Sequence, residues 1–244
     1  MILKKDMHIA IPSKNRAGSC TTQKVIKNCT FYVPESEVHQ YKTFYKNVVG
    51  IPKSIMGITK TRNWILKNCN KKYVIMLDDD AKKMGYIKRL ERNVKMVNVK
   101  DEDFWITEFQ KFFDITEQLN YKIWGIKTES SSKSEYPYKP FLFKTYVLGS
   151  IMGIINDGEY YFNEDYTVKE DYELCLRHIK EKGGVLGVRY LYWENEHWFT
   201  EGGCKDYRTI GIERDCIKRL INDYPGMIKS AKRKNNEFSI QLNL

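Results

Sequence analysis

No apolar run in this 244-residue chain approaches the roughly 20 residues that a membrane-spanning helix needs; the longest, Tyr146 to Ile155, falls well short. Lys4 and Lys5 stand near the N-terminus, but Asp6 and His8 interrupt what would be the apolar core of a signal peptide, so the protein is expected to stay in the cytoplasm where it is made. The six cysteines, at 20, 29, 69, 175, 204 and 216, form no C-x-x-C pair. That spacing argues against a zinc cluster or a thioredoxin-type site and leaves reduced thiols as the expectation. Pro-, Gly- or Ser-rich linkers and internal repeats are missing, the one low-complexity patch being Ser130-Ser131-Ser132-Lys133-Ser134, which reads as a loop. Without linkers, a chain of this length is expected to form one domain with a full core.

Hydrophobic residues make up 42% and aromatic ones 14%, with 17 Tyr and 5 Trp, which is not the composition of a disordered chain. The net charge is +10. Such an excess fits a nucleic acid, an anionic membrane or a phosphate-rich cosubstrate, and it fits equally a plain lysine bias.

Met7 to Ile11 is a short apolar run ended by Pro12, the pattern of a buried strand entering a loop. Phe31-Tyr32-Val33 before Pro34 predicts a second strand, and Tyr73-Val74-Ile75-Met76-Leu77 is the clearest one. Leu142 to Ile155 predicts strands broken near Gly149, and Val185 to Trp193 another strand. Helices are expected after Thr21 or Thr22 through Val25 and Ile26, and after a Thr59 or Thr61 cap through Trp64, Ile65 and Leu66. Asp101 to Leu119 carries Trp105, Phe109, Phe112 and Phe113 on one helical face. Val168 to Lys182 predicts a helix stopped by Gly183-Gly184. Alternating strands and helices favour an α/β sheet with helices on both faces, and ligands in such sheets bind beyond the carboxyl ends of the strands.

That rule makes Pro12-Ser13-Lys14-Asn15-Arg16 and Asp78-Asp79-Asp80 two lips of one candidate site. Three adjacent carboxylates repel one another and are held together most readily by a cation. Hard oxygen ligands suit Mg²⁺ or Mn²⁺, which take one or two carboxylates together with substrate phosphates; a solvated acidic turn is the plainer alternative. Ser13, Lys14 and Arg16 offer a hydroxyl and two cations to a nucleotide diphosphate, or form an ordinary polar strand-to-helix loop, and Arg62 reads either as a contact to a phosphate or a base or as a surface arginine. Glu170 and Asp171 open a helix whose Leu174, Cys175 and Ile179 look inward. The helix dipole alone accounts for acids there, and a general base for a sugar acceptor is the functional reading. His197 is a candidate late metal ligand, while Lys205 and Arg208 follow Gly202-Gly203 in a candidate phosphate-seeking closing loop.

In this order the pieces resemble the GT-A glycosyltransferase superfamily: I-A-I-P-S-K-N-R-A, T-R-N-W-I-L, V-I-M-L-D-D-D, K-E-D-Y-E-L-C-L and the late His197. The resemblance runs from the first strand to about Arg208. It implies a single Rossmann-like α/β domain with a mixed, mostly parallel central sheet flanked by helices, and a UDP-sugar cosubstrate. It places Asp78 near the ribose, Asp80 on the metal, Asp79 in either role, Asp171 as the base of an inverting enzyme and Glu170 beside it on the acceptor. More narrowly, the opening and the size look like the phage TET-associated glycosyltransferases that decorate 5-hydroxymethylpyrimidines in DNA, relatives of the base J glucosyltransferase; a phage-encoded protein would act in the host cytoplasm. The chain departs from the common G-W-G-x-E-D pattern, with Asp165-Tyr166-Thr167-Val168-Lys169 before the acidic pair.

The resemblance thus implies modified DNA and a nucleotide sugar as partners, with no membrane and no obligate protein partner. Tyr136, Tyr138, Trp193, Trp198 and Phe199 are candidate stacking platforms for a base. Residues 1–100 are expected to hold donor and metal, 101–210 the acceptor, and 211–244 to form a helical tail. A polysaccharide, lipid-linked or protein acceptor, and a non-catalytic DNA-binding module, are the alternative readings.

Overall fold

A computed structural model describes residues 2–90, 94–128, 139–195, 208–233 and 236–243. The strands are β1 (Met7–Pro12), β2 (Thr30–Pro34), β3 (Val48–Ile51), β4 (Tyr73–Leu77), β5 (Ala81–Arg89), β6 (Val94–Asn98), β7 (Ile123–Thr128), β8 (Phe141–Leu142), β9 (Ile151–Ile155), β10 (Leu186–Asn195), β11 (Ile228–Arg233) and β12 (Asn236–Leu242). The α-helices are α1 (Val38–Lys42), α2 (Ile58–Asn68), α3 (Glu102–Gln118), α4 (Glu170–Lys182) and α5 (Ile210–Asp223).

The main sheet has ten strands in the order β3-β2-β1-β4-β9-β7-β10-β5-β6, with β8 pairing β10 off that path. β1, β2, β3, β4, β6, β7 and β10 run one way and β5, β8 and β9 the other. This is the α/β class that the strand–helix alternation predicts, and the single domain with a mixed, mostly parallel sheet that the family resemblance implies. Every residue of β4 is buried because both faces are covered: Tyr73, Ile75 and Leu77 join the core under α3, while Val74 and Met76 join the core under α2 and α4. A strand covered on both sides reads as a continuous apolar run, which is why its sequence shows no alternation.

The helix ends follow their local chemistry. Asp101 caps α3 by accepting from the Asp103 N–H at 3.0 Å, and Trp105, Phe109, Phe112 and Phe113 are fully buried, with Phe109, Phe112 and Phe113 packing around Trp124 of β7. Gly183 ends α4 at φ 88 and returns its N–H to the Ile179 carbonyl, a left-handed stop that costs glycine no Cβ clash.

Some expectations need correction. The stretch after Thr21 and Thr22 is one 3₁₀ turn, Thr22–Lys24, rather than an α-helix. Thr22 is fully buried; its hydroxyl donates to the Asp78 carbonyl at 2.6 Å and accepts from the Ala81 N–H at 3.0 Å. That commitment to the neighbouring turn leaves it unable to cap. Gly57, not Thr59 or Thr61, precedes α2, and the Thr59 hydroxyl donates to the Tyr166 carbonyl. The C-terminal segment is helical only in α5, after which β11 and β12 form an antiparallel hairpin. Ile228, Ile240 and Leu242 of that hairpin pack with Leu220 and Tyr224 of the helical part, so the tail folds back rather than extending. Among the described residues no helix is long and apolar enough to cross a membrane.

Candidate active site

Because β1, β4, β7 and β10 share a direction, their carboxyl ends lie along one edge of the sheet. β9 runs the opposite way beside β4, so the residues leading into it, Gly149 and Ser150, lie on that same edge. The Asp78 N–H donates to the Ser150 carbonyl at 3.0 Å. The three aspartates therefore sit where first strand, central strand and acidic helix converge, as expected for ligand sites in open α/β sheets.

The three carboxylates have different surroundings. Asp79 is only 4% exposed and turns under the edge: it accepts from the Ser13 hydroxyl and from Arg16 Nη1 at 2.5 Å. Its backbone carbonyl accepts from the N–H groups of Thr21 and Thr22. Ser13 is itself buried and lies 2.7 Å from the Tyr41 hydroxyl. Asp79 and Ser13 are therefore the staple joining the β1 loop to the β4 end, and neither faces the cleft as a donor contact.

Asp78 faces the other way, with about a third of its side chain exposed; Arg62 Nη2 stands 3.7 Å away and Asn195 Nδ2 donates at 3.3 Å. Crowding by protein and the charge of Asp79 raise its pKa against the pull of Arg62. Asp80 keeps one oxygen 3.5 Å from Arg16, while its Oδ1 is buried with no hydrogen-bond partner among the described residues. Burial, then the charges of Asp78 and Asp79, push its pKa up to about 7. A buried carboxylate oxygen without a donor, beside two like charges, is a place where a hard cation fits. Among the described residues no group of three or more His, Cys, Asp and Glu is placed to hold a metal ion by itself. Asp80 and Asp78 would hold Mg²⁺ or Mn²⁺ with ligands completed by a donor's phosphates.

Across the cleft, α4 begins after Lys169, which adopts a left-handed φ of 65°. Glu170 is 5% exposed and bound to Arg62 Nη1 at 2.5 Å; burial pushes its pKa up to about 7, Arg62 opposing and Asp171 adding. The Glu170 side chain, 7% exposed, is thus enclosed against Arg62. Asp171 is only partly buried; its Oδ2 accepts from the Gly149 N–H at 3.0 Å and its Oδ1 from the Tyr172 N–H. Arg62 is 4% exposed and spans both sides, so it is enclosed within the site rather than open to a phosphate.

Lys14 is exposed and Pro12 half-buried at the β1 end, and Asn15 holds a left-handed φ of 58° between them and Arg16. Arg208 places its Nε on Glu213 Oε1 at 2.5 Å, and Lys169 Nζ lies 3.2 Å from the other Glu213 oxygen. His197 and Lys205 lie outside the described residues, as do the stacking candidates Tyr136, Tyr138, Trp198 and Phe199. Trp193 is 2% exposed in the core against α3, so it is no stacking platform. Asn195, Thr22 and Gly149 belong to the site without any local signal in the sequence. Their roles arise from contacts to residues 22 or more positions away.

Three solved structures share this architecture. S. aureus TarS 1–349 with UDP-GlcNAc is 13% identical over 88% of this chain and 66% of that one, at a TM-score of 0.53. Glucosyl-3-phosphoglycerate synthase from Mycobacterium tuberculosis, with Mn²⁺, UDP-Glc and phosphoglyceric acid, is 9% identical over 92% and 83%, at 0.52. The mannosyltransferase PcManGT from Pyrobaculum calidifontis, with GDP-Man and Mn²⁺, is 11% identical over 88% and 61%, at 0.50. At these identities the likeness speaks to the fold alone, and the chain spans just under two thirds of the TarS fragment. No curated protein matches it in sequence. A family profile does, continuously over residues 7–204, from the first residue of β1 past the end of β10. Every element that builds the cleft up to β10 falls inside that span, and on this match the chain belongs to the TET-associated glycosyltransferase family.

Proposed function

We propose that the protein moves a sugar from a nucleotide diphosphate donor, a UDP-sugar, to the hydroxymethyl group of a 5-hydroxymethylpyrimidine in DNA. The observation that carries this reading is the link from Asp78 through Arg62 and Gly149 to Asp171, with Asp80 and its unpartnered buried oxygen two residues from Asp78, in a chain of this family. The similar structures hold UDP-GlcNAc, UDP-Glc and GDP-Man, two of them with Mn²⁺, which supports a nucleotide-sugar donor. The +10 charge supports a polyanionic acceptor.

Lys14, on the exposed β1 loop, and Arg16 add fixed positive charge beside the diphosphate. A bound Mn²⁺ or Mg²⁺ would neutralise the leaving diphosphate as a Lewis acid. Asp171, held by two backbone N–H groups, keeps lone pairs for the acceptor proton. As that proton passes to Asp171, the hydroxyl oxygen bonds to the anomeric carbon. The bond from that carbon to the phosphate oxygen breaks, and its electron pair leaves with the nucleoside diphosphate. Attack from the face opposite the leaving group inverts the anomeric centre. A target base in a duplex must first leave the stack.

The test is to incubate the protein and Mn²⁺ with DNA carrying each hydroxymethylpyrimidine and a panel of nucleotide sugars, then weigh the digested nucleosides. A hexose-sized mass gain on one nucleoside is expected, lost in Asp80→Ala. Full turnover by Asp80→Ala, or transfer only to a saccharide or protein acceptor, would sink the reading.

A further inference from the structure

We infer that Arg62 is a positioning residue that sets the spacing between the donor carboxylate Asp78 and the base Asp171, and that Gly149 is glycine because it seats the Arg62 guanidinium. This inference rests on the function proposed above. One planar guanidinium touches three parts of the site. Nη1 binds Glu170 at 2.5 Å, and Nη2 donates to the Gly149 carbonyl at 3.1 Å and lies 3.7 Å from Asp78. The same Gly149 then donates its N–H to Asp171 at 3.0 Å. A chain of contacts thus runs from the β4 end through α2 and the 149 turn to the start of α4.

Arg62 is well fixed in that role. Its side chain is 5% exposed, and the guanidinium carbon stands 5.5 Å from the centre of the Phe162 ring. A Cβ on Gly149 would lie 2.2 Å from Nη2, 2.3 Å from Nη1 and 2.5 Å from Cζ. No side chain shares that space, so with any residue other than glycine there either the guanidinium or the backbone at 149 must shift from this arrangement. Lysine cannot replace Arg62 either, because a single ammonium lacks the fork that holds separate acceptors in one plane.

The geometry yields a test that leaves Arg62 chemically untouched. Gly149→Ala and Arg62→Lys are each expected to lower kcat by about 100-fold, the usual effect of misplacing reacting groups by about 1 Å. The donor Kd, measured by calorimetry with a UDP-sugar and Mn²⁺, should weaken by much less than kcat falls, since the β1 loop and Asp80 remain while only the Asp78 position is disturbed. The double variant should be no slower than either single one, because both act on one contact. Two results would overturn the inference: either variant keeping kcat within about threefold while folded, or losses that multiply to about 10⁴. A role limited to balancing the charge of Glu170 predicts that Arg62→Lys keeps its rate. Thermal melting reports folding, and rates are taken per folded molecule. Slow donor hydrolysis by water supplies the same readout independently of acceptor, so a failed choice of acceptor and a failed bridge give different outcomes. A native chain that neither binds nor hydrolyses any nucleotide sugar would sink the proposed function and this inference with it.

Discussion

Neighbouring aspartates in one motif should respond to the same substitution with opposite signs. Asp79→Ala removes a buried carboxylate that satisfies Ser13 and Arg16 at once, and it leaves Arg16, 18% exposed, without its 2.5 Å partner. Breaking a buried pair from one side costs about 3–5 kcal/mol. Arg16 can turn toward Asp80, 3.5 Å away, so a loss of about 2–3 kcal/mol is expected, which lowers Tm by about 4–12 °C for a chain of this size. Asp80→Ala removes a carboxylate with an unpartnered buried oxygen and two like charges beside it. Relief of that repulsion should stabilise the metal-free protein by about 1–2 kcal/mol at pH 8 while abolishing transfer. The assay is thermal melting of both variants in EDTA at pH 8, with turnover measured in Mn²⁺. If Asp79→Ala melts with the native protein while Asp80→Ala melts well below it, the division of labour between the two carboxylates is wrong.

Glu170 and Asp80 both titrate near pH 7 in the folded chain, above their ordinary values of 4.5 and 3.8. Each binds its proton more tightly when folded, so its contribution to stability is present at low pH and is lost as pH rises through about 7. Metal-free Tm should therefore fall between about pH 4 and pH 7 from these two groups; a Tm that climbs across that window in Glu170→Gln by the same amount as in the native protein would contradict this. If Asp80 holds the metal as proposed, the metal displaces the Asp80 proton, and apparent Mn²⁺ affinity in calorimetry should rise about tenfold per pH unit below 7 and level off above it. Asp171→Asn should lower kcat by about 10²–10⁴-fold and leave donor Kd within a few-fold; equal losses in both would move the base elsewhere. Phe112→Ala, emptying a fully buried site against Trp124, should cost about 3–5 kcal/mol in chemical denaturation without touching donor affinity.

Much of the scaffold was legible because its signals are local. Tyr73–Leu77 announces a strand covered on both faces, Asp101 with the Trp105–Phe113 stripe announces α3, and Gly183 announces its stop, all from neighbours within a turn or a pleat. The hairpin β5–β6 and the C-terminal β11–β12 pair carried no comparable signal, since the lysine-bearing sequences of β5, β6 and β11 read equally as solvated loop. Threonines misled for the same reason: Thr22 and Thr59 have the right chemistry for caps, and distant carbonyls, Asp78 and Tyr166, claim their hydroxyls instead.

The sequence by itself determined the α/β class, the strand-end location of Asp78-Asp79-Asp80 and the helix-start location of Glu170-Asp171, because each depends on spacing along the chain. Only the tertiary structure decided what the individual charges do. It turned Asp79 inward to Ser13 and Arg16, enclosed Glu170 with Arg62, left Asp80 with an unsatisfied oxygen, and brought Asn195 to Asp78 across the sheet. A residue type specifies a charge; burial and the partners across the sheet set whether that charge is spent on the fold or left for a ligand.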